Sequence, residues 1–408
     1  MHIWILNHYA VTPDLPGGTR HFDFGRELVK EGHNVTIFAS AFHHSQFKYV
    51  KIQKKQLYKI ENLNGVKFVW IKTFPYKKND WRRVLSMLDF ALKVFIIGMK
   101  FPAPDIIIGS SVHLLSPLSA YLLSLHFKVP FIMEVRDLWP DTLVDMGKLS
   151  RKSFVFILLK KLELFLYKKA KRIIYIPPYA SDYFSNLGVP LNKTKNIPNG
   201  VDLNRFPKSL GELNANDQVF KLTYTGHFGP SAGLKDAIKA ISLIIEKGYD
   251  VLLRLIGDGS ERSILEEMVK EGNLSPWINI IGPVPKEEVY KYLITSDALL
   301  HIELDFDTSK WGGSPNKIYD YLASGKPIIY CSNFVKEWLD KINCGLYAPP
   351  GNAEKLADTI VEIINMKPEE RIAMGKRGRN YVEKHHSISF LSKELLSLIN
   401  SVIGEERP

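Results

Sequence analysis

Cysteine is nearly absent from this 408-residue chain. Cys331 and Cys344 are the only two, with no CxxC pair and no histidine at ligand spacing, which argues against a disulfide framework or a zinc site and suits a reducing compartment. Long apolar runs are missing too. The opening "MHIWILNHYA" has no basic stretch and no apolar core of leader length, so no secretory signal is expected. No spacing reads GxGxxG, which weakens the case for a dinucleotide cofactor. Helix-turn-helix, RRM, KH and zinc-finger patterns are lacking, as are short-period repeats, so nucleic acid is not an expected partner.

What is present is an ordinary globular composition, 45% hydrophobic and 24% charged, in a chain long enough for two domains. The net charge of +11 is unevenly shared. Residues 1–205 hold 30 Lys and Arg against 15 Asp and Glu, or +15; the remainder holds 24 against 28, or −4. The first half is therefore expected to meet something anionic. Its basic residues sit among apolar ones in "WRRVLSMLDFALKVFIIGMKFP" (81–102) and "RKSFVFILLKKLELFLYKKAKRI" (151–173), neither uninterrupted enough to cross a bilayer. They read as helices lying on an anionic membrane face, the alternative being core helices with solvated basic sides.

Short apolar runs alternate with helical patterns. Strands are expected at 2–7, 34–40, 105–111, 129–135 and 172–177, with a helix at 19–32. The rhythm restarts with strands at 220–226, 250–257, 278–282, 297–304 and 326–332 and helices at 234–247, 260–271, 285–295 and 315–324. This is α/β patterning: two Rossmann-like, doubly wound parallel sheets, each gathering its ligand loops at the carboxyl ends of its strands and together expected to face a central cleft. The expected domains are 1–198 and 199–386, hinged through the Pro- and Asn-rich 196–209, with a helix at 387–403 crossing back onto the first.

Candidate site residues follow from that placement. In "VPFIMEVRDLWPDTL" (129–143) a buried strand runs into Glu134, Arg136 and Asp137, and charge there points to a functional group; the plainer reading is a mutual Arg136–Asp137 salt bridge. His113 follows another strand. Gly17 and Gly18, before the first helix, are candidates to seat a phosphate. In the second half, Gly226, Gly229 and Gly233 lie between strand and helix, where backbone amides approach phosphate. "GGSPNKIYDYLASGKP" (312–327) says more: Ser314 as N-cap, then Pro315 and Asn316, open a helix whose Lys317 stands against the dipole, tolerable where an anion docks. Asp320, three residues on, is placed to accept from ribose hydroxyls. Diphosphate then ribose along one helix describes a nucleotide. The Asp305-Phe306-Asp307 triplet has the form of a metal-holding DxD, yet Lys317 and helix termini already supply positive charge, and no metal or cofactor is expected.

These segments together resemble a bacterial family 4 retaining glycosyltransferase of the GT-B fold, similar to the L-fucosamine transferase group of surface-polysaccharide synthesis. "GGTRHFDFGRELVKEGHNVTIFAS", "IIIGSSVH", "VPFIMEVRDLWPDTL", "NIPNGVD", "IGDG", "PNKIYDYLASGKPII" and "RNYVEKH" carry the resemblance in order. It implies a nucleoside diphosphate sugar, UDP-linked and including the aminosugars, on the second domain, with Gly257, Asp258, the backbone of Pro283 and Val284 at the base, and Asp320 at the ribose. It implies an acceptor on the first domain, retention through front-face attack, and no metal. Where many members carry Arg, Lys and Glu, this chain has His227, Ala232 and Gly312, so Lys317, with Arg254 and the helix amides, is the expected diphosphate site. Arg136, Asp137, Glu134 and His113 are the candidates to act on the acceptor, Arg136 on its phosphate. The expected acceptor is a saccharide on polyprenyl diphosphate, at the inner face of the bacterial plasma membrane. A sugar-nucleotide 2-epimerase and a non-catalytic membrane scaffold are the alternatives.

Overall fold

The computed structural model describes residues 1–53, 55–77, 80–111, 113–207, 219–305 and 307–406. Residues 208 and 209 of the expected hinge and Phe306 of the acidic triplet lie outside them. The chain divides into two compact units: Met1–Thr12 with Gly18–Pro198 and Ile388–Pro408, and Pro13–Gly17 with Asn199–Ser387.

The first unit is built on an eight-stranded sheet of β1 (His2–Leu6), β2 (Asn34–Ser40), β3 (Tyr58–Leu63), β4 (Val66–Ile71), β5 (Ile106–Ser110), β6 (Phe131–Val135), β7 (Arg172–Tyr175) and β8 (Thr194–Asn196), in the order β8-β7-β6-β5-β1-β2-β4-β3. Every pairing is parallel except β3 with β4. Strands covered on both faces need no polar side, which is why β1, β5 and β6 are near-continuous apolar runs. Helix α1 (Arg20–Lys30) packs on β2 and on the C-terminal helix Ile388–Glu406. Helices α2 (Trp81–Gly98), α3 (Leu115–Phe127) and α4 (Phe154–Lys169) pack in series, α2 on α3 and α3 on α4. Asp80 caps α2 by accepting from the Arg82 N–H, and Ser153 caps α4 by accepting from Phe156.

The second unit holds β9 (Phe220–His227), β10 (Val251–Asp258), β11 (Ile278–Ile281), β12 (Ala298–Ile302), β13 (Ile328–Cys331) and β14 (Gly345–Tyr347), all parallel, in the order β11-β10-β9-β12-β13-β14. Its core is aliphatic: Leu222, Leu253 and Leu255 from the sheet meet Ile241 and Ile244 of α5 (Leu234–Glu246). Helix α6 (Asn316–Ser324) ends at Gly325, whose left-handed φ of 67° suits glycine.

In each sheet the winding reverses once, between β1 and β5 in the first unit and between β9 and β12 in the second. Strand carboxyl ends diverge at such a point, and the crevice left there is where doubly wound sheets bind ligands.

Candidate active site

At the first switch point β1 runs into His8 and β5 leads to His113. His8 Nδ1 and His113 Nε2 lie 2.8 Å apart, with both residues at most 3% exposed. One ring must donate and the other accept, so the two cannot both be protonated. Burial and then the Arg83 charge hold the His113 pKa down to about 3; burial, His113 and Arg83 depress His8 in the same direction. His113 Nδ1 has no partner. A base this weak orients an acceptor hydroxyl by hydrogen bonding but does not remove its proton near neutral pH, which corrects the general-base part of the expectation for His113.

Glu134 needs a larger correction. Its carboxylate accepts from Arg20 Nε at 2.9 Å, His21 Nε2 at 2.7 Å and Ser110 Oγ at 2.5 Å. Burial pushes its pKa up, but Arg20, His21 and Arg136 outweigh that and hold it well below the usual carboxylate range. The charge at the end of β6 is thus an ionic lock. Arg20 extends it by donating to the carbonyls of Ile197 and Pro198, at the end of the unit's central chain segment. With both of its oxygens engaged by buried donors, Glu134 positions structure and is poorly placed to act on an acceptor.

Arg136 and Asp137 keep their candidacy, because no ion pair joins them among the described residues. The Arg136 N–H donates to Ser111 Oγ at 3.1 Å, while its Nε is buried without a partner. Asp137 is solvent-accessible. Desolvation raises its pKa against the Arg136 and Arg83 charges, an effect that its solvent access tempers. Arg83, on the first turn of α2, donates from Nε to Tyr9 Oη at 3.2 Å with its guanidinium over the Tyr9 ring. Gly17 and Gly18 fall on either side of the division between the units, Gly17 exposed and Gly18 half-buried.

In the second unit Lys317 is held at the carboxyl end of β9. Its Nζ donates to Tyr224 Oη at 3.1 Å and sits 4.2 Å from the Tyr224 ring centroid. Burial lowers its pKa, while Tyr321 and Glu303 work to keep the charge. Gly226 leaves the space beside Lys317 open: its φ is 148°, and a Cβ there would stand 3.0 Å from Tyr224 Oη and 3.3 Å from Lys317 Nζ. Gly257, with φ 150°, lies so close to the Gly226 carbonyl that a side chain would collide with it. The Asp258 carboxylate accepts from the Gly259 N–H at 2.9 Å. Gly229 is buried and opens the short turn before α5.

Three expectations in this unit change. Arg254 lies mid-strand in β10, and it donates to Thr223, Thr295 and Ser296 hydroxyls and the Tyr292 carbonyl. It ties β10 to β9 and to the segment before β12, so it is structural and not a diphosphate ligand. Ser314 does not cap α6; its hydroxyl accepts from the Asn199 N–H and bonds Tyr319 Oη, and Pro315 precedes the first helical residue, Asn316. Asp320 is buried and ion-paired with Lys286, a residue the sequence did not single out. Lys286 follows Pro283, exposed, and Val284, half-buried, so the pair joins the loop expected at the base to the carboxylate expected at the ribose. His8, Arg20, His21, Arg83 and Tyr224 were likewise not singled out. His8 alone had a signal, as a polar residue just past the first strand.

Among the described residues no group of three or more His, Cys, Asp or Glu is placed to hold a metal ion, and no helix is long and apolar enough to cross a membrane. Asp305 of the acidic triplet is engaged by Asn333.

Comparison with known proteins agrees with this architecture. The 2-deoxystreptamine glucosyltransferase of Streptomyces kanamyceticus is 24% identical over 52% of this chain and 55% of its own length. The putative colanic acid biosynthesis glycosyltransferase WcaL of Escherichia coli K12 is 22% identical over 58% of each chain. The chain thus spans just over half the length of both relatives. The crystal structure of Anabaena HepE in complex with UDP-glucose superposes with a TM-score of 0.70 at 15% identity, covering 98% of this chain and 100% of that one, which shows the fold to be GT-B. The family described as Glycosyltransferase Family 4 matches residues 17–205, and that described as Glycosyl transferases group 1 matches residues 206–381. These matches adjoin, one on each half, and on them the chain belongs to the family 4-type glycosyltransferases.

Proposed function

We propose that the protein transfers a sugar from a nucleoside diphosphate sugar, UDP-linked and drawn from the aminosugars, to a saccharide carried on polyprenyl diphosphate, with retention, in building a cell-surface polysaccharide. The observation that carries this reading is Lys317 held beside Gly226 at the switch point of the second unit. A cation there favours the charge that grows on a departing diphosphate, and so acts more strongly in the transition state than before it. The UDP-glucose named for the HepE complex and the colanic acid named for WcaL support the donor class and the pathway class. The L-fucosamine group belongs to this proposal as one choice of donor sugar.

In the step itself the acceptor oxygen bonds to the anomeric carbon, the bond from that carbon to the diphosphate oxygen breaks, and the acceptor proton passes to the departing phosphate oxygen. Two features of the first unit favour that route over a side-chain base. His113 is too weak a base, and Glu134 is consumed by Arg20 and His21. Asp137 is left to orient the acceptor and Arg136 to bind its phosphate. Peripheral attachment to the inner face of a bacterial plasma membrane goes with a lipid-linked acceptor. Neither family match favours the 2-epimerase or the non-catalytic scaffold.

The test is a panel of UDP-, GDP- and dTDP-sugars with purified protein and polyprenyl-linked acceptors, following nucleotide release with and without acceptor and EDTA. Acceptor-dependent release from a single donor is expected, with product anomers read by NMR. Sugar conversion without acceptor would overturn the reading.

A further inference from the structure

Helix α2 turns two different faces outward and inward. On the inner face the Phe90 ring stacks on His8 at 4.5 Å and 5°, and Arg83 bonds Tyr9, so the helix walls the carboxyl end of β1. On the outer face Trp81, Leu85, Leu88, Leu92 and Ile96 recur at helical spacing and are all exposed. The neighbouring helices continue that surface. Helix α3 adds Leu122 and Leu125, and α4 adds Phe154, Leu158 and Phe165. Contact between the helices is close: Ser119 of α3 donates to the Ala91 carbonyl of α2 at 2.9 Å, and the Tyr121 ring of α3 lies 5.5 Å from Phe165 of α4.

The charges around this surface are of one sign. The only acid in α2, Asp89, is paired with Lys93; α3 has none; the only acid in α4, Glu163, is buried. Arg82, Lys100, Lys161, Lys168 and Lys169 are exposed around it. An apolar face edged by cations fits an anionic bilayer, into which such a face sinks about 5–10 Å. A helix is about 10 Å across. With the outer stripe in the lipid, the inner-face Arg83 therefore stands at or just above the plane of lipid phosphates.

We infer that Arg83, bonded to Tyr9, together with Arg136 from the end of β6, binds the diphosphate of a lipid-linked acceptor presented by the bilayer on which α2 rests. The inference rests on reading the first unit as the acceptor-binding one. A guanidinium fork matches phosphate oxygens in a way that an ammonium does not. Arg136 Nε and His113 Nδ1, at the carboxyl ends of β6 and β5, are buried polar atoms without partners, as is Tyr76 Oη. The charges of Arg83 and Arg136 both lower the Asp137 pKa against its burial.

The probes are farnesyl diphosphate, inorganic pyrophosphate and farnesol, titrated by calorimetry into the full chain and into its Arg83→Gln, Lys317→Ala and Leu88→Gln/Leu92→Gln variants. Arg83→Gln is expected to weaken farnesyl diphosphate about tenfold or more and to leave farnesol unchanged. The leucine double variant is expected to lower cosedimentation with vesicles of phosphatidylethanolamine and phosphatidylglycerol and to weaken farnesyl diphosphate but not pyrophosphate. Should Arg83→Gln melt early, Arg83→Lys is read in its place: weaker farnesyl diphosphate binding supports the fork, and unchanged binding overturns it. Binding that responds to Lys317→Ala and not to Arg83 overturns the assignment while leaving the proposed reaction standing. Pyrophosphate bound as tightly as farnesyl diphosphate would point to a free anion and overturn the lipid-linked ligand. No transfer assay enters this test, so a failed donor panel would sink the functional reading separately.

Discussion

Acidification from about pH 7.5 to about pH 5 should loosen the first unit. The reason is the His8–His113 pair. In the unfolded chain each imidazole takes up a proton below its ordinary pKa of 6.5, whereas His113 in the folded unit resists protonation down to about 3. Between those values the unfolded state binds more protons, so stability is full above 6.5 and falls as pH drops. At pH 5, some 1.5 units below 6.5, the loss is about 2 kcal/mol for His113. His8, depressed in the same direction, steepens the loss further, against a typical total stability of about 5–15 kcal/mol. His21 adds to the same slope. For a unit of this size the His113 share alone corresponds to a melting temperature lower by about 4–8 °C. Thermal unfolding read by hydrogen exchange in peptides covering 1–12 and 106–127 would separate this unit from the other. His113→Gln should make the slope shallower. A melting temperature in these peptides that stays flat between the two pH values would refute the buried neutral pair.

Lys317→Ala should lower turnover about a hundredfold, the size of effect seen when one preorganised charge-stabilising donor is removed, while the exposed Lys270→Ala leaves it unchanged; equal rates would refute the diphosphate role. Arg254→Gln should lower the melting temperature of the second unit and leave donor KM within about twofold, as expected of a residue bonded only within the fold; a large KM change would restore it to the site. Glu134→Gln should destabilise the first unit by about 3–5 kcal/mol, because Arg20 would be left as a buried cation without its counter-charge; thermal melting checks it. Lys286→Ala should alter donor affinity through the freed Asp320 carboxylate without changing the affinity for a free saccharide acceptor, measured by titration calorimetry.

The strands were legible because sheets covered on both faces demand runs such as "DIIIGSS", and the observed β2, Asn34–Ser40, has the expected limits. The β3–β4 hairpin was overlooked although its signal was present. Asn64 and Gly65 both take positive φ, 51° and 82°, which is what an Asn-Gly turn between two strands announces. Lys317, Arg136 and Asp137 could be proposed from the sequence because their place follows from local context, a helix start and a strand end. Arg83 and Lys286 could not, since each matters through a partner brought near only by the fold: Tyr9 is 74 residues from Arg83, and Asp320 is 34 from Lys286. Glu134 shows the same limit from the other side. A carboxylate at a strand end reads as reactive until Arg20 and His21, more than a hundred residues away, are seen to hold it.

The helix Ile388–Glu406 belongs to the first unit, where its Leu391, Leu395, Ile399 and Val402 are buried. During synthesis the apolar surface it covers is therefore complete by residue 198 but stays bare until nearly two hundred more residues have left the ribosome. At about 5–20 residues per second that interval is roughly 10–40 s. The second unit, whose main segment runs from Asn199 to Ser387 and whose other segment, Pro13–Gly17, is made earlier, can fold within that time. The N-terminal unit is thus the later of the two to close, and its uncovered face is where a nascent-chain chaperone would bind.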